Sequence, residues 1–267
     1  MRSTRVIAVG AAVLLAALVA GATALVATSQ SATVAARGPL TVGPGRLTSA
    51  TGIFSFADTA GLTVTAPFGL NFVTHTAHIT ATASLSIVTV TAEARLVGGM
   101  LYVSDQSLAT LTGAPWVTTS MPRGTVALDR IARTLRHPHL AALHANRATV
   151  STTGTTTTTT LWFNRVTLPR TTGLPITLPR TAAVVVTVTT GSLGQVLSAV
   201  VRLKGSNDTV VLGLQMTGYN VSVAVRAPDP RQTVVLTPAR ATQIFGTNAP
   251  AVIRLLRGAV AKVSSGH

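Results

Sequence analysis

Few side chains in this sequence can do chemistry. Six carboxylates, Asp58, Glu93, Asp105, Asp129, Asp208 and Asp229, stand against 21 lysines and arginines, a formal net charge of +15, and Glu93 is the only glutamate. They are widely spaced and form no D-x-D, E-x-x-H or H-E-x-x-H signature, so the usual templates for carboxylate acid–base catalysis and zinc hydrolysis are missing. The absence of cysteine removes thiol nucleophiles, C-x-x-C redox pairs, thiolate zinc sites, disulfides and iron–sulfur ligation together. His137, His139 and His144 are close in sequence, but Pro138 interrupts them and no carboxylate stands beside them, so they read as exposed or capping histidines and no metal is assigned. Gly43-Pro44-Gly45 lacks the Lys-Ser/Thr that completes a phosphate loop. The expectation is a protein that is not an enzyme and holds no cofactor.

The remaining chemistry is cationic. Arg123, Arg130, Arg133, Arg136 and Arg147 form the densest basic stretch, with Asp129 as its only acid. Such a series is either a solvated face or a contact for anionic lipid headgroups. Charge alone would also fit nucleic acid, but aromatics make up 4% of the chain and no nucleic-acid module appears, so no such partner is expected. Tyr102 and Trp116 read either as core anchors or as residues at a cavity mouth. Asn207-Asp208-Thr209 and Asn220-Val221-Ser222 read as turn chemistry.

The elements that must position these residues divide the chain into four parts. Arg2 and Arg5 precede an apolar run from Val6 to Ala27, with Ala22-Thr23-Ala24 as a small-x-small cleavage site, so residues 1–28 read as a signal peptide or an uncleaved signal-anchor helix and the rest as exported. Residues 29–50, rich in Ser, Thr, Gly and Pro, have the composition of a linker. Residues 51–236 read as the domain proper. Residues 237–267 hold an amphipathic basic helix over Ala251 to Val263, with Arg254, Arg257 and Lys262 on its polar side.

Within the domain, threonine and valine dominate; the chain holds 45 threonines, and β-branched side chains suit a pleated surface. Val210, Leu212, Leu214 and Met216 alternate with Thr209, Gly213, Gln215 and Thr217, the pattern of a half-buried strand. The same period predicts strands over Leu197 to Leu203, Val184 to Thr189 and Thr155 to Leu168, and a continuation at Val221, Val223 and Val225. In the first half, Gly61 to Thr65, Leu70 to Thr76, Ile79 to Val90 and Glu93 to Val103 read as strands. Helical spacing appears at Leu128, Ile131, Ala132 and Leu135, predicting a helix over Thr125 to Leu135, with a second short turn over His139 to Ala145 beyond Pro138. The fold class is mainly β: a large curved antiparallel sheet or open barrel around a helical pair.

Three stretches then carry a family likeness: Leu96-Val97-Gly98-Gly99-Met100-Leu101-Tyr102-Val103, Leu111-Thr112-Gly113-Ala114-Pro115-Trp116-Val117, and Leu135-Arg136-His137-Pro138-His139-Leu140-Ala141-Ala142-Leu143. With the closing pattern from Gly218-Tyr219-Asn220-Val221 to Ala227-Pro228, the chain over about Leu96 to Leu236 resembles the actinobacterial LppX/LprAFG-like lipoprotein family, itself similar to LolA carriers. The resemblance implies an unclosed β half-barrel whose apolar interior holds acyl chains of lipids or glycolipids, for transport or display in the cell envelope. On that basis Tyr102, Trp116, Leu128, Ile131, Leu135, Leu212, Leu214 and Met216 are candidate lipid contacts. Arg130, Arg133 and Arg136 are candidate headgroup contacts toward an anionic membrane surface. Family members commonly carry a lipobox cysteine, which this chain lacks, so any anchor falls to the Val6 to Ala27 run. An envelope transporter is a further partner of such carriers that no residue here identifies. The contrasting expectation is a structural or adhesive Thr-rich surface domain with a filled core.

Overall fold

In a computed structural model, the residues described are 46–121, 124–140, 143–167, 181–206 and 208–237. The expected amino-terminal helix, most of the expected linker and the Ala251 to Val263 helix lie outside them. Among the described residues no helix is long and apolar enough to cross a membrane.

Twelve strands form one sheet: β1 Ser49–Asp58, β2 Leu62–Asn71, β3 Thr76–Leu85, β4 Val88–Val97, β5 Met100–Asp105, β6 Trp116–Ser120, β7 Arg147–Thr153, β8 Thr156–Thr167, β9 Thr181–Thr190, β10 Val196–Lys204, β11 Thr209–Tyr219 and β12 Thr233–Val235. Their order is β12-β6-β5-β4-β3-β2-β1-β11-β10-β9-β8-β7, and every described pairing is antiparallel except β12 with β6. The sheet is unclosed, with β12 and β7 at its edges. Among the described residues two helices interrupt it, α1 Gln106–Thr112 and α2 Gly124–Arg136. Twelve strands laid flat would span roughly 53 Å. Yet one core cluster joins residues of β1–β5 and β9–β11 to Leu108 of α1 and to Leu128 and Leu135 of α2. Helices of roughly 10 and 20 Å reach both halves only if the sheet curves around them.

Register assigns the two faces. Phe54 opposes Leu214 and Ala66, Phe56 opposes Leu212 and Val64, and Ala199 opposes Leu214 and Val188, all on the inner face. Threonines occupy much of the outer face, where Thr82 meets Thr91, Thr158 meets Thr189 and Thr160 meets Thr187 through their hydroxyls. The six threonines of the 155–160 run therefore alternate faces, and their register comes from β9. The β2–β3, β4–β5, β7–β8 and β9–β10 turns lie at one end of the sheet, the upper end here; the β1–β2, β3–β4 and β10–β11 turns lie at the lower end.

Several boundaries differ from expectation for local reasons. The Leu70 to Thr76 stretch turns after Asn71, whose Oδ1 accepts from the Val73 and Thr74 amides, and Phe72 enters the core fully buried. Ile79 to Val90 is two strands, because the chain reverses at Ser86, with φ 54°, and Ile87. Glu93 to Val103 is likewise split by Gly98 and Gly99, whose φ values of 58° and 74° make the two-residue turn that suits glycine. β1 begins at Ser49, inside the stretch whose composition reads as linker.

Beyond β11 the expected strand through Val221, Val223 and Val225 is instead a strap over the outer face. Asn220, with φ 55°, ends β11. The Val221 carbonyl then accepts from the Ser49 hydroxyl, the Val223 carbonyl from Asn71 Nδ2 at 3.0 Å, and the Arg226 carbonyl from Arg95 Nη1 at 3.2 Å. An extended strap alternates its side chains as a strand does, so period two alone could not separate them. Asp229 caps a short 3-10 turn, Pro230–Gln232, and β12 then joins the edge beside β6.

Candidate functional site

Helix α2 forms where the sequence predicts it, ending with the His137 amide on the Arg133 carbonyl at 2.9 Å. Pro138 then disfavours further helix in the residue before it. The chain bends over Pro138 to Leu143, Leu143 donating to the Leu140 carbonyl at 3.1 Å. This bend lies above the inner face of β1 and β9–β11 without filling the space beneath it. The result is a groove of about 70 Å³.

Its roof is Leu135, Pro138, Leu140 and Leu143. Its floor is Phe54 of β1, Val186 and Val188 of β9, Val196 and Ala199 of β10, and Leu212 and Leu214 of β11. Among the described residues Thr134 and His139 are the only lining residues with polar side chains, and His139 is exposed at the rim. Tyr219 fixes the start of β10 beside the groove by donating its hydroxyl to the Val196 carbonyl, and burial pushes its phenol above the ordinary range. The site can exclude water and hold apolar matter. Among the described residues no three His, Asp or Glu side chains gather as a metal set.

The candidate contacts separate into three places. Leu135, Leu212 and Leu214 line the groove. Leu128 is buried in the core, while Ile131 and Met216 pack against it half-buried, outside the groove lining. Tyr102 and Trp116 stand on the opposite, outer face, which corrects their placement at a cavity mouth. Tyr102 opposes Arg95 and Thr118 in register, and its neighbours Leu101 and Val103 face inward. Trp116 is buried, with the Arg95 guanidinium 4.6 Å from its ring centroid and Arg95 Nε 2.6 Å from Glu93 Oε1. Nearby, His78 fills the space above Gly69, where a Cβ would lie 2.4 Å from its Cε1. Burial, aided by Arg95 and opposed by Glu93, holds the His78 imidazole below its ordinary pKa.

The arginine series stays on the solvent side of α2. Arg133 is exposed, and Arg130 and Arg136 are half-buried. Among the described residues none of the three is ion-paired with a carboxylate. Asp129 is engaged elsewhere, with His75 Nε2 at 3.2 Å and Arg46 Nη2 at 3.6 Å. His137 beside them is held below its ordinary pKa by burial, then by Arg136 and His139. Lining residues that sequence reading did not nominate, such as Phe54, Val188 and Ala199, were accessible to it as inner positions of a period-two pattern. What it lacked was the bend that covers them.

An open, mainly β half-barrel with an apolar groove under a helix is thus the class that fold and site define. No protein-family model matches the chain. No curated protein matches it either. Among solved structures, a β-barrel-like protein of a domain of unknown function, DUF1849, from Brucella abortus is similar at a TM-score of 0.20 and 8% identity, covering 67% of this chain and 99% of that one.

Proposed function

We propose that this protein is a non-enzymatic envelope protein of the LppX/LprAFG-like kind that binds acyl chains of a lipid or glycolipid in its groove, for transport or display outside the cytoplasmic membrane. The observation that carries the reading is the groove beneath Leu135 and the Pro138 to Leu143 bend, walled almost wholly by aliphatic side chains. Its volume is room for roughly five water-sized groups at ~10–15 Å³ each, a short apolar segment. At about 0.8 kcal/mol per buried CH₂, each methylene it covers favours binding without any specific motif. In this form the groove takes the end of a chain. Arg130, Arg133 and Arg136 then supply guanidinium forks for an anionic headgroup left outside.

Organic extraction of the purified protein followed by lipid mass spectrometry tests this. Long-chain lipid near one equivalent per chain is expected; a lipid-free extract from protein purified without detergent would overturn it. A second reading, a structural or adhesive surface domain, is favoured by β7 alone, all seven of whose residues are exposed at the sheet edge. A lipid-free extract would select that reading.

A further inference from the structure

The two ends of the half-barrel differ in charge and in exposed apolar side chains. At the upper end, Val73 in the β2–β3 turn and Leu193 in the β9–β10 turn are 61% and 48% exposed. Helix α2 reaches the same end, since Asp129 meets His75 of the β2–β3 turn. Val126, 48% exposed, precedes Asp129 by less than one helical turn, and Val126, Arg130, Arg133 and His137 follow one another at helical spacing along its open side. The one carboxylate there among the described residues, Asp129, is already met by Arg46 and His75. The lower end also exposes an aliphatic residue, Ile87 at 97%, but Asp58 and Asp208 stand in its turns, with Thr59 donating to Asp208.

We propose that the upper end is a docking surface for an anionic lipid bilayer, with Val73, Val126 and Leu193 entering the interface and Arg130, Arg133 and Arg136 meeting lipid phosphates. Aliphatic tips beside guanidinium groups that no carboxylate among the described residues pairs match the chemistry of that interface. The lower end mixes its carboxylates with the exposed Lys204, Arg202 and Arg165, so its charges offset one another and the same surface attracts it less. Val188 and Val196 of the groove flank the turn that carries Leu193, so docking brings the groove to the bilayer. In this use the inference rests on the acyl-binding reading, although the docking itself is measured without it.

The absence of cysteine allows one thiol to be placed at a time in the full chain. V73C, L193C and I87C, each carrying an environment-sensitive fluorophore, are mixed with vesicles of phosphatidylglycerol and phosphatidylcholine containing a nitroxide-labelled lipid. Because Ser49 and Val235 both lie toward the upper end, attachment through a terminal segment would also favour it, and the triple arginine substitution is the arm that separates the two. Expected is quenching at V73C and L193C several-fold above that at I87C, lost with phosphatidylcholine alone and lost when R130Q, R133Q and R136Q are combined. Equal quenching at all three positions, quenching greatest at I87C, or quenching that survives the triple substitution would overturn the proposal. Protein that yields no extractable lipid yet shows the expected quenching keeps the docking end and loses the acyl groove; lipid-loaded protein without it does the reverse.

Discussion

The sheet is covered in two places, and the covers are built differently. On the outer face the strap after β11 is clamped by side chains of the sheet, Ser49, Asn71 and Arg95 donating to its carbonyls, and it sets buried Val223 beside half-buried His78 over Gly69, while the clamping Arg95 also stacks on buried Trp116. On the inner face the Pro138 to Leu143 bend rests on aliphatic walls, and α2 is tied to the sheet by ion pairs only at Asp129 among the described residues. Hydrogen-bonded clamps fix a register, whereas apolar contact is non-directional and lets the cover shift at little cost. The strap closes a core; the bend roofs a space. That difference is the reason the proposed binding is assigned to the inner face.

The largest expected effect lies at the clamp of the strap. Trp116→Ala removes a buried ring and the surface on which Arg95 stacks, and should cost about 3–5 kcal/mol in a denaturant titration. A cost below about 1 kcal/mol would mean the strap is not a packed cover. Leu214→Ala, at a half-buried position already facing the groove, should cost only about 1–2 kcal/mol by the same measurement. If it costs as much as the tryptophan, the groove is core and the contrast between the covers fails.

Smaller effects sharpen the comparison. Asp129→Asn weakens a tether between the 44% exposed Asp129 and its partners Arg46 and His75, 73% and 31% exposed, so less than about 1 kcal/mol should be lost. Hydrogen exchange of the α2 amides should nevertheless quicken relative to those of β2 and β3; unchanged exchange would show that α2 is held by packing alone. The smallest effect is one of pH. His78 and His137 both titrate below 6.5 when folded, chiefly through burial. The unfolded chain therefore takes up these protons first as pH falls, and stability that is complete above about pH 6.5 declines below it toward the depressed folded values. His78→Gln should flatten part of that decline between pH 7.5 and 5.5. An identical slope in the variant would remove His78 from the account.

How much of this was legible in the sequence follows from what each pattern encodes. Val210 to Met216 announced a strand and its inner positions, and two of them, Leu212 and Leu214, do line the groove. Leu135 was found through helical spacing. Of the two readings of Trp116 the buried anchor is the one that fits, and the cavity-contact reading of Trp116 and Tyr102 came with the family resemblance, no local pattern saying which face of the sheet a neighbour will cover. The strap was read as a strand for the same reason. Helix α1 was missed although Asp105 Oδ1 caps it at the Leu108 amide and Gly113 ends it; Asp105 was weighed as a catalytic acid and not as a cap. The joining of β1 to β11, which unites the two halves, depends on register between segments about 160 residues apart, and no local pattern carries that.

The central claim is that the space under the bend, and not the packing under the strap, holds acyl chains. Ala199 lies on the groove floor between Val188 and Leu214, so Ala199→Phe puts a ring into the space without disturbing the outer face. Native mass spectrometry of the purified full chain beside this variant tests the claim most directly. Wild-type protein should carry a lipid adduct that A199F loses, while the variant keeps its circular dichroism spectrum; an adduct of equal occupancy in both, or none in either, contradicts it.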